Sequence, residues 1–281
     1  MKNHTKTTAM KTVTINSVNI FKSLKLKTMK TSVQLFIAIF FSLFMTACGS
    51  KDKNVVVLLD ISKSIDVQVR DWYLQTIEKD ICFNLSKFDR ITILPVDGAT
   101  QTAAKPLIEI NLEEKNREWN SITGLNTNET NRLRKEAFVK FIKEKMQELK
   151  TSVQNAATER VSVSNSTDIL GALQMAEGFY NSASDNVLVI MSDMEQYGNK
   201  LKMNTSGNCN EWLKEAGTGQ YEHLKDFQIA IITGEQLEMP VEYYAKISTF
   251  WKEYLTRKGV LNLLYTSAEV NGLRSKLSES N

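Results

Sequence analysis

Two stretches of the chain are apolar at every position. Val55-Val56-Val57-Leu58-Leu59 ends at Asp60, and Val187-Leu188-Val189-Ile190-Met191 ends at Ser192-Asp193. A short run with no polar alternate predicts a strand buried on both faces, as in a parallel sheet. Arg90–Val96, closed by Asp97-Gly98, reads as a further strand, as do Phe227–Ile232 and Val260–Tyr265. Pro106–Leu112 alternates apolar and polar residues and follows the preceding strand without a helix, which predicts an edge strand. Apolar positions fall at helical spacing over 65–85 (Ile65, Val69, Trp72, Tyr73, Ile77, Ile81, Leu85), 166–180, 241–258 and 268–279. The stretch 113–160 is polar and charged and carries a helical stripe over 129–150. It exceeds what the alternation needs and reads as a helical insertion. Residues 199–222 read as an irregular excursion with a short helix near Glu211–Glu215. Strands alternating with helices imply right-handed crossovers. The expected fold is α/β: one doubly wound, mostly parallel six-stranded sheet with one antiparallel edge strand, over residues 54–280.

Charge is distributed unevenly. The 281 residues carry a net +3, but residues 1–47 hold seven lysines and no acid, leaving 28 basic and 32 acidic residues in the remainder. The mature part is therefore acidic and lacks a nucleic-acid footprint. Residues 33–47 form an apolar run behind the lysines and before Cys48-Gly49-Ser50, too short to span a bilayer comfortably. A basic segment, a short apolar core and small residues before the cut describe a secretory signal. Residues 1–28 are long for the basic part, and Met29 opens a more compact signal. Met45-Thr46-Ala47-Cys48 resembles a bacterial lipobox. That resemblance implies a signal peptide over 1–47, acylation of Cys48, a lipidated tether over 48–53 and a place in the cell envelope, at the outer membrane. Several acyl chains on one residue anchor firmly.

Ligands of open α/β sheets sit beyond the carboxyl ends of the strands. Three oxygen-rich segments stand at such places: Asp60-Ile61-Ser62-Lys63-Ser64, Ser166-Thr167-Asp168 and Ser192-Asp193. None offers sulfur or imidazole. Two carboxylates with hydroxyls favour a hard cation, Mg²⁺ first, with Mn²⁺ or Ca²⁺ as alternatives. Asp60 and Asp193 together neutralise such an ion without excess charge, so it stays open to an outside carboxylate. The competing role for Asp60 or Ser62 is to cap the helix beginning near Ile65, and Thr167 also suits a helix start.

Asp60-x-Ser62-x-Ser64 after an apolar strand, Thr167 at a helix start and Asp193 after another apolar strand resemble the von Willebrand factor A (VWA) domain over roughly residues 54–280. The five positions match its metal-ion-dependent adhesion site in chain order. The resemblance implies that Ser62 and Ser64 coordinate the ion directly, that Thr167 does so directly or through water, and that Asp60 and Asp193 often act through water. It also implies a partner protein that supplies an Asp or Glu as the last ligand. The chain departs from the family at Asp193-Met194-Glu195, where many members have Asp-Gly.

Other chemistries find less support. Two histidines exclude a His-rich metal site, and three cysteines exclude a four-cysteine zinc site. No Gly-x-Ser-x-Gly elbow, phosphate loop or dinucleotide fingerprint occurs. His223 reads as a surface residue and Arg132-Leu133-Arg134-Lys135 as a solvated helix face. Cys82 reads as a buried small hydrophobe, with pairing to Cys209 the alternative outside the cytoplasm. The enzyme alternative is a Mg²⁺-dependent haloacid-dehalogenase-like phosphatase with Asp60 as nucleophile. That family usually has a second Asp where Ser62 stands, and a hydroxyl cannot serve as its acid/base at neutral pH. A scaffold with a vestigial site is the third reading.

Overall fold

Eight consecutive buried residues, Lys53–Asp60, form the central strand β1. The computed structural model describes residues 51–86, 89–100, 105–160, 165–217, 219–234 and 239–267. The leader, Cys48 and the expected helix at 268–279 lie outside these. After β1 come α1 (Val67–Thr76), β2 (Arg90–Val96), β3 (Ile108–Asn111), α2 (Leu112–Asn120) and α3 (Thr127–Glu159). There follow α4 (Ile169–Ala176), β4 (Asp185–Met191), α5 (Cys209–Ala216), β5 (Gln228–Thr233), α6 (Val241–Arg257) and β6 (Leu263–Ser267). The sheet order is β3-β2-β1-β4-β5-β6. Every pairing is parallel except β2 with β3, where Ile91 faces Ile110 and Ile93 faces Ile108. The fold is thus the expected α/β sheet with an antiparallel edge.

The fully apolar strands follow from a core on both sides of the sheet. Val56 and Leu58 of β1, with Leu188 and Ile190 of β4, pack under α4, α5 and α6. Val55, Val57 and Leu59, with Val187 and Val189, pack under α1 and α3. Successive residues point to opposite faces, so both must be apolar. Among the described residues, no helix is long and apolar enough to cross a membrane.

Three of the differences from expectation have a clear physical cause. The helix over 65–85 starts at Val67 behind the cap Asp66. It then widens into a π-turn at Ile77–Ile81 and tightens into a 3₁₀ turn at Cys82–Asn84. In the wide turn, residues five apart share a face, which buries Ile77 and Cys82 together. The last strand begins at Leu263 rather than Val260, because Val260 is buried beneath the end of α6, its N–H bonded to the Leu255 carbonyl. The 113–160 stretch is two helices joined by a turn. Only Ile142, Met146, Leu149, Val153 and Ala156 of α3 are buried, so its second half covers the sheet. Cys82 and Cys209 are both free thiols. They belong to cores on opposite faces of the sheet, which rules out their pairing.

Candidate metal centre

At the carboxyl edge of the sheet, β1 lies between β2 and β4, the switch point of the topology. Beyond β1, Ile61 and Ile65 are buried and pin the loop down. Ile61 N–H continues the sheet by donating to the Val96 carbonyl at 3.0 Å. The loop between these anchors carries Ser62 and Ser64, whose hydroxyls lie 2.9 Å apart. From α1, the Arg70 guanidinium reaches back to the carbonyl of Ser62 at 3.0 Å and of Ile65 at 3.4 Å. It thereby fixes the backbone behind the two serines.

Asp60 is fully buried. One oxygen accepts the Ser62 backbone N–H at 2.9 Å, and the other accepts the Ser192 hydroxyl at 2.6 Å. Asp60 does not cap the helix, because that task falls to Asp66, whose side chain accepts from Gln68 N–H at 2.7 Å. Likewise Asp168, not Thr167, caps α4 by accepting from Gly171 N–H at 3.0 Å. Thr167 is held instead by reciprocal backbone bonds with Tyr197, of 3.2 and 2.8 Å. Ordinary helix capping therefore explains none of the three residues.

The segment after β4 completes the arrangement. Asp193 is buried, accepts Glu195 N–H at 2.9 Å and lies beside the Ser64 hydroxyl, which favours its charged form. Met194 has φ of +65°, the one non-glycine residue with positive φ among those described. Its carbonyl accepts the Trp251 indole N–H at 2.7 Å, and Tyr243 donates to the Glu195 carboxylate at 2.6 Å. Helix α6 thus holds the departure from Asp-Gly in place. Gln196, fully buried, accepts from Leu170 N–H and donates to Asp168, tying this loop to the start of α4. A Cβ on Gly198 would fall 2.5 Å from the Gln196 amide nitrogen, so a side chain there would displace the buried amide that ties this loop to α4.

Ser62, Ser64 and Thr167, with Asn165, Glu195 and Tyr197, line a cleft of about 170 Å³. Asp60 and Asp193 sit behind the hydroxyls. Larger hollows of 540 and 360 Å³ lie along α3 and between α2 and α3, but neither has this oxygen array. Burial raises the Asp60 carboxyl above its ordinary range, against the pull of the Ser192 and Ser62 hydrogen bonds. Burial, then the charge of Asp60, pushes Asp193 up to about 7. Among the described residues no three His, Cys, Asp or Glu side chains form a metal-holding group, so an ion here would depend on the hydroxyls.

The residues fit a hard divalent cation on two counts. The donors are all oxygen, and two acids are set close enough to oppose each other's ionisation, an arrangement a cation relieves. Ser62, Ser64 and Thr167 could hold it from the front and Asp60 and Asp193 from behind. Sequence reasoning found these five residues. It noted Ser192 only beside Asp193 and passed over the supporting roles of Arg70, Gln196, Tyr243 and Trp251, which carry no local pattern and are recruited only by the fold. No family model matches the chain, and no curated protein matches it.

Proposed function

We propose that this chain is a lipid-anchored envelope protein whose VWA-like domain binds a protein partner through a divalent ion. The observation that carries the reading is the gathering of Ser62, Ser64 and Thr167 on one cleft with Asp60 and Asp193 buried behind them. Mg²⁺ is the expected occupant, with Mn²⁺ or Ca²⁺ as substitutes. An Asp or Glu of the partner would enter from the open side. Glu195 also lines the cleft, but its carboxylate is engaged by Tyr243, which supports leaving that side to an outside acid. The phosphatase reading is weaker. Asp60 is fully buried with both oxygens occupied, whereas a nucleophile must reach phosphorus.

The test has two arms. Mg²⁺ at a hundred times its Kd should add about 2.7 kcal/mol of stability, and EDTA or Asp60→Ala should abolish the gain. Absence of any gain would favour the scaffold reading. Capture of an envelope partner should then be lost with EDTA and with Ser62→Ala. Capture indifferent to both would reject the metal bridge.

A further inference from the structure

The helical hairpin α2–α3 hangs over the opposite end of the sheet from the metal cleft. Leu112 begins α2 at the amino end of β2, where its N–H donates to the Asp89 carbonyl. Helix α3 finishes at the carboxyl end, where Arg160 pairs with Asp97 at 2.7 Å. With 33 residues, α3 is about 50 Å long, while the seven residues of β2 span about 23 Å. Phe138 still packs against Phe83 at the level of the amino edge, so the overhang is Thr127–Ala137, about 16 Å. No residue of that overhang is buried, and Leu125 at the turn is 96% exposed.

The tether leaves from the same place. Lys53 opens β1 at the amino edge, and its N–H donates to the carboxylate of Asp89, whose carbonyl holds α2. Between Cys48 and β1 lie only Gly49 to Asp52, so five residues from the acylated position reach at most about 17 Å. The overhang is therefore as long as the tether. The overhang carries Arg132, Arg134 and Lys135 against Glu129 and Glu136, a net positive charge on an otherwise acidic mature chain. Lys135 is exposed, and no ion pair engages it among the described residues.

We propose that the tip of the α2–α3 hairpin rests on an anionic lipid surface, with Leu125 entering the headgroup layer, and so turns the metal cleft away from the membrane. The occupant is the bilayer that holds the chain, because a tether no longer than the overhang keeps the hairpin tip within reach of it. The proposal rests on the anchored reading above. Apolar insertion and basic attraction act together at such a contact.

The test uses the full lipidated chain, with Cys209→Ser, on vesicles of phosphatidylglycerol and phosphatidylcholine. One form carries an environment-sensitive fluorophore at Leu125→Cys, the other at Lys200→Cys in the loop beside the cleft. The Leu125 label should shift to the blue and be quenched by lipid-borne nitroxide, while the Lys200 label stays open to aqueous iodide. Lys135→Gln should reduce the lipid-contacting fraction about fivefold, since each basic charge near such a surface contributes on the order of that factor, whereas Lys143→Gln, about 24 Å along the helix from Thr127, should leave it unchanged. If the chain sediments with vesicles while the Leu125 label stays as aqueous as the Lys200 label, the hairpin contact is wrong and the anchor stands. If the chain remains in the supernatant, both fail.

Discussion

At Asp193, burial and the negative charge of Asp60 act in the same direction, and Glu195 adds to them. The carboxyl is pushed from an ordinary 3.8 to about 7. Between these pH values the folded, metal-free protein holds a proton that the unfolded chain has released. Its stability should therefore fall as pH rises from about 4 to about 7, by at most about 1.4 kcal/mol per pH unit from this group, and then level off. Urea unfolding in EDTA across that range checks the slope. Asp193→Asn should flatten it, and a metal-free wild type growing more stable over the same window would overturn the assignment. Met194 sets two other terms against each other. Its left-handed backbone costs about 1–2 kcal/mol in a non-glycine residue. Its fully buried side chain is worth more, because removing a core methionine costs about 2–5 kcal/mol. Met194→Gly should thus lower the unfolding midpoint even though it restores the residue that the VWA resemblance favours. A glycine variant more stable than wild type would show that backbone strain dominates.

Helix α1 contributes to the site from its inner face rather than its end. Asp66 caps it, and one turn on, Arg70 folds back to the Ser62 and Ile65 carbonyls. Replacing that guanidinium by an apolar chain removes its bonds to both carbonyls and leaves Ser62 with the longer bond from Ile65 N–H, of 3.3 Å, at about 1–3 kcal/mol. Arg70→Met should accordingly weaken Mg²⁺ binding by calorimetry more than Lys63→Met, which alters an exposed residue of the same loop. Equal effects would mean that Arg70 serves stability alone. What the sequence revealed follows the same division. Strands such as 55–59 and 187–191 were legible because burial on both faces forbids polar residues, Asp60, Ser62, Ser64 and Asp193 because they follow such a strand, and Thr167 because it stands at a helix start. The π-turn at Ile77–Ile81 was hidden, since a run apolar at helical spacing looks alike with one residue more per turn. Gln196 and Trp251 were hidden for another reason. A lone amide after a strand and an aromatic in a helix acquire meaning only from what they touch across the fold.

The whole molecule joins the cleft to the long helix through one buried ion pair. Asp97 stands beyond β2 with its side chain fully buried, and its carboxylate takes both the Arg160 guanidinium and Ala99 N–H. The Asp97 carbonyl, in turn, accepts Asp168 N–H at 3.1 Å, next to Thr167. The end of α3 is thereby linked to the hydroxyl that closes the cleft. Burial keeps the Asp97 carboxyl above its ordinary range despite the arginine, so the pair is a costly one to hold. Such a pair is weak evidence of stability, but breaking it strands a charge, at about 3–5 kcal/mol. Arg160→Met should therefore destabilise strongly, and Asp97→Asn combined with Arg160→Met should recover much of the loss, because no buried charge remains. The informative readout is the metal. If the pair positions the Thr167 loop, the double variant should regain stability in urea while its Mg²⁺ affinity stays below wild type. Recovery of affinity together with stability would mean that α3 only covers the sheet and that the Thr167 loop is held by Tyr197 and Gln196 alone.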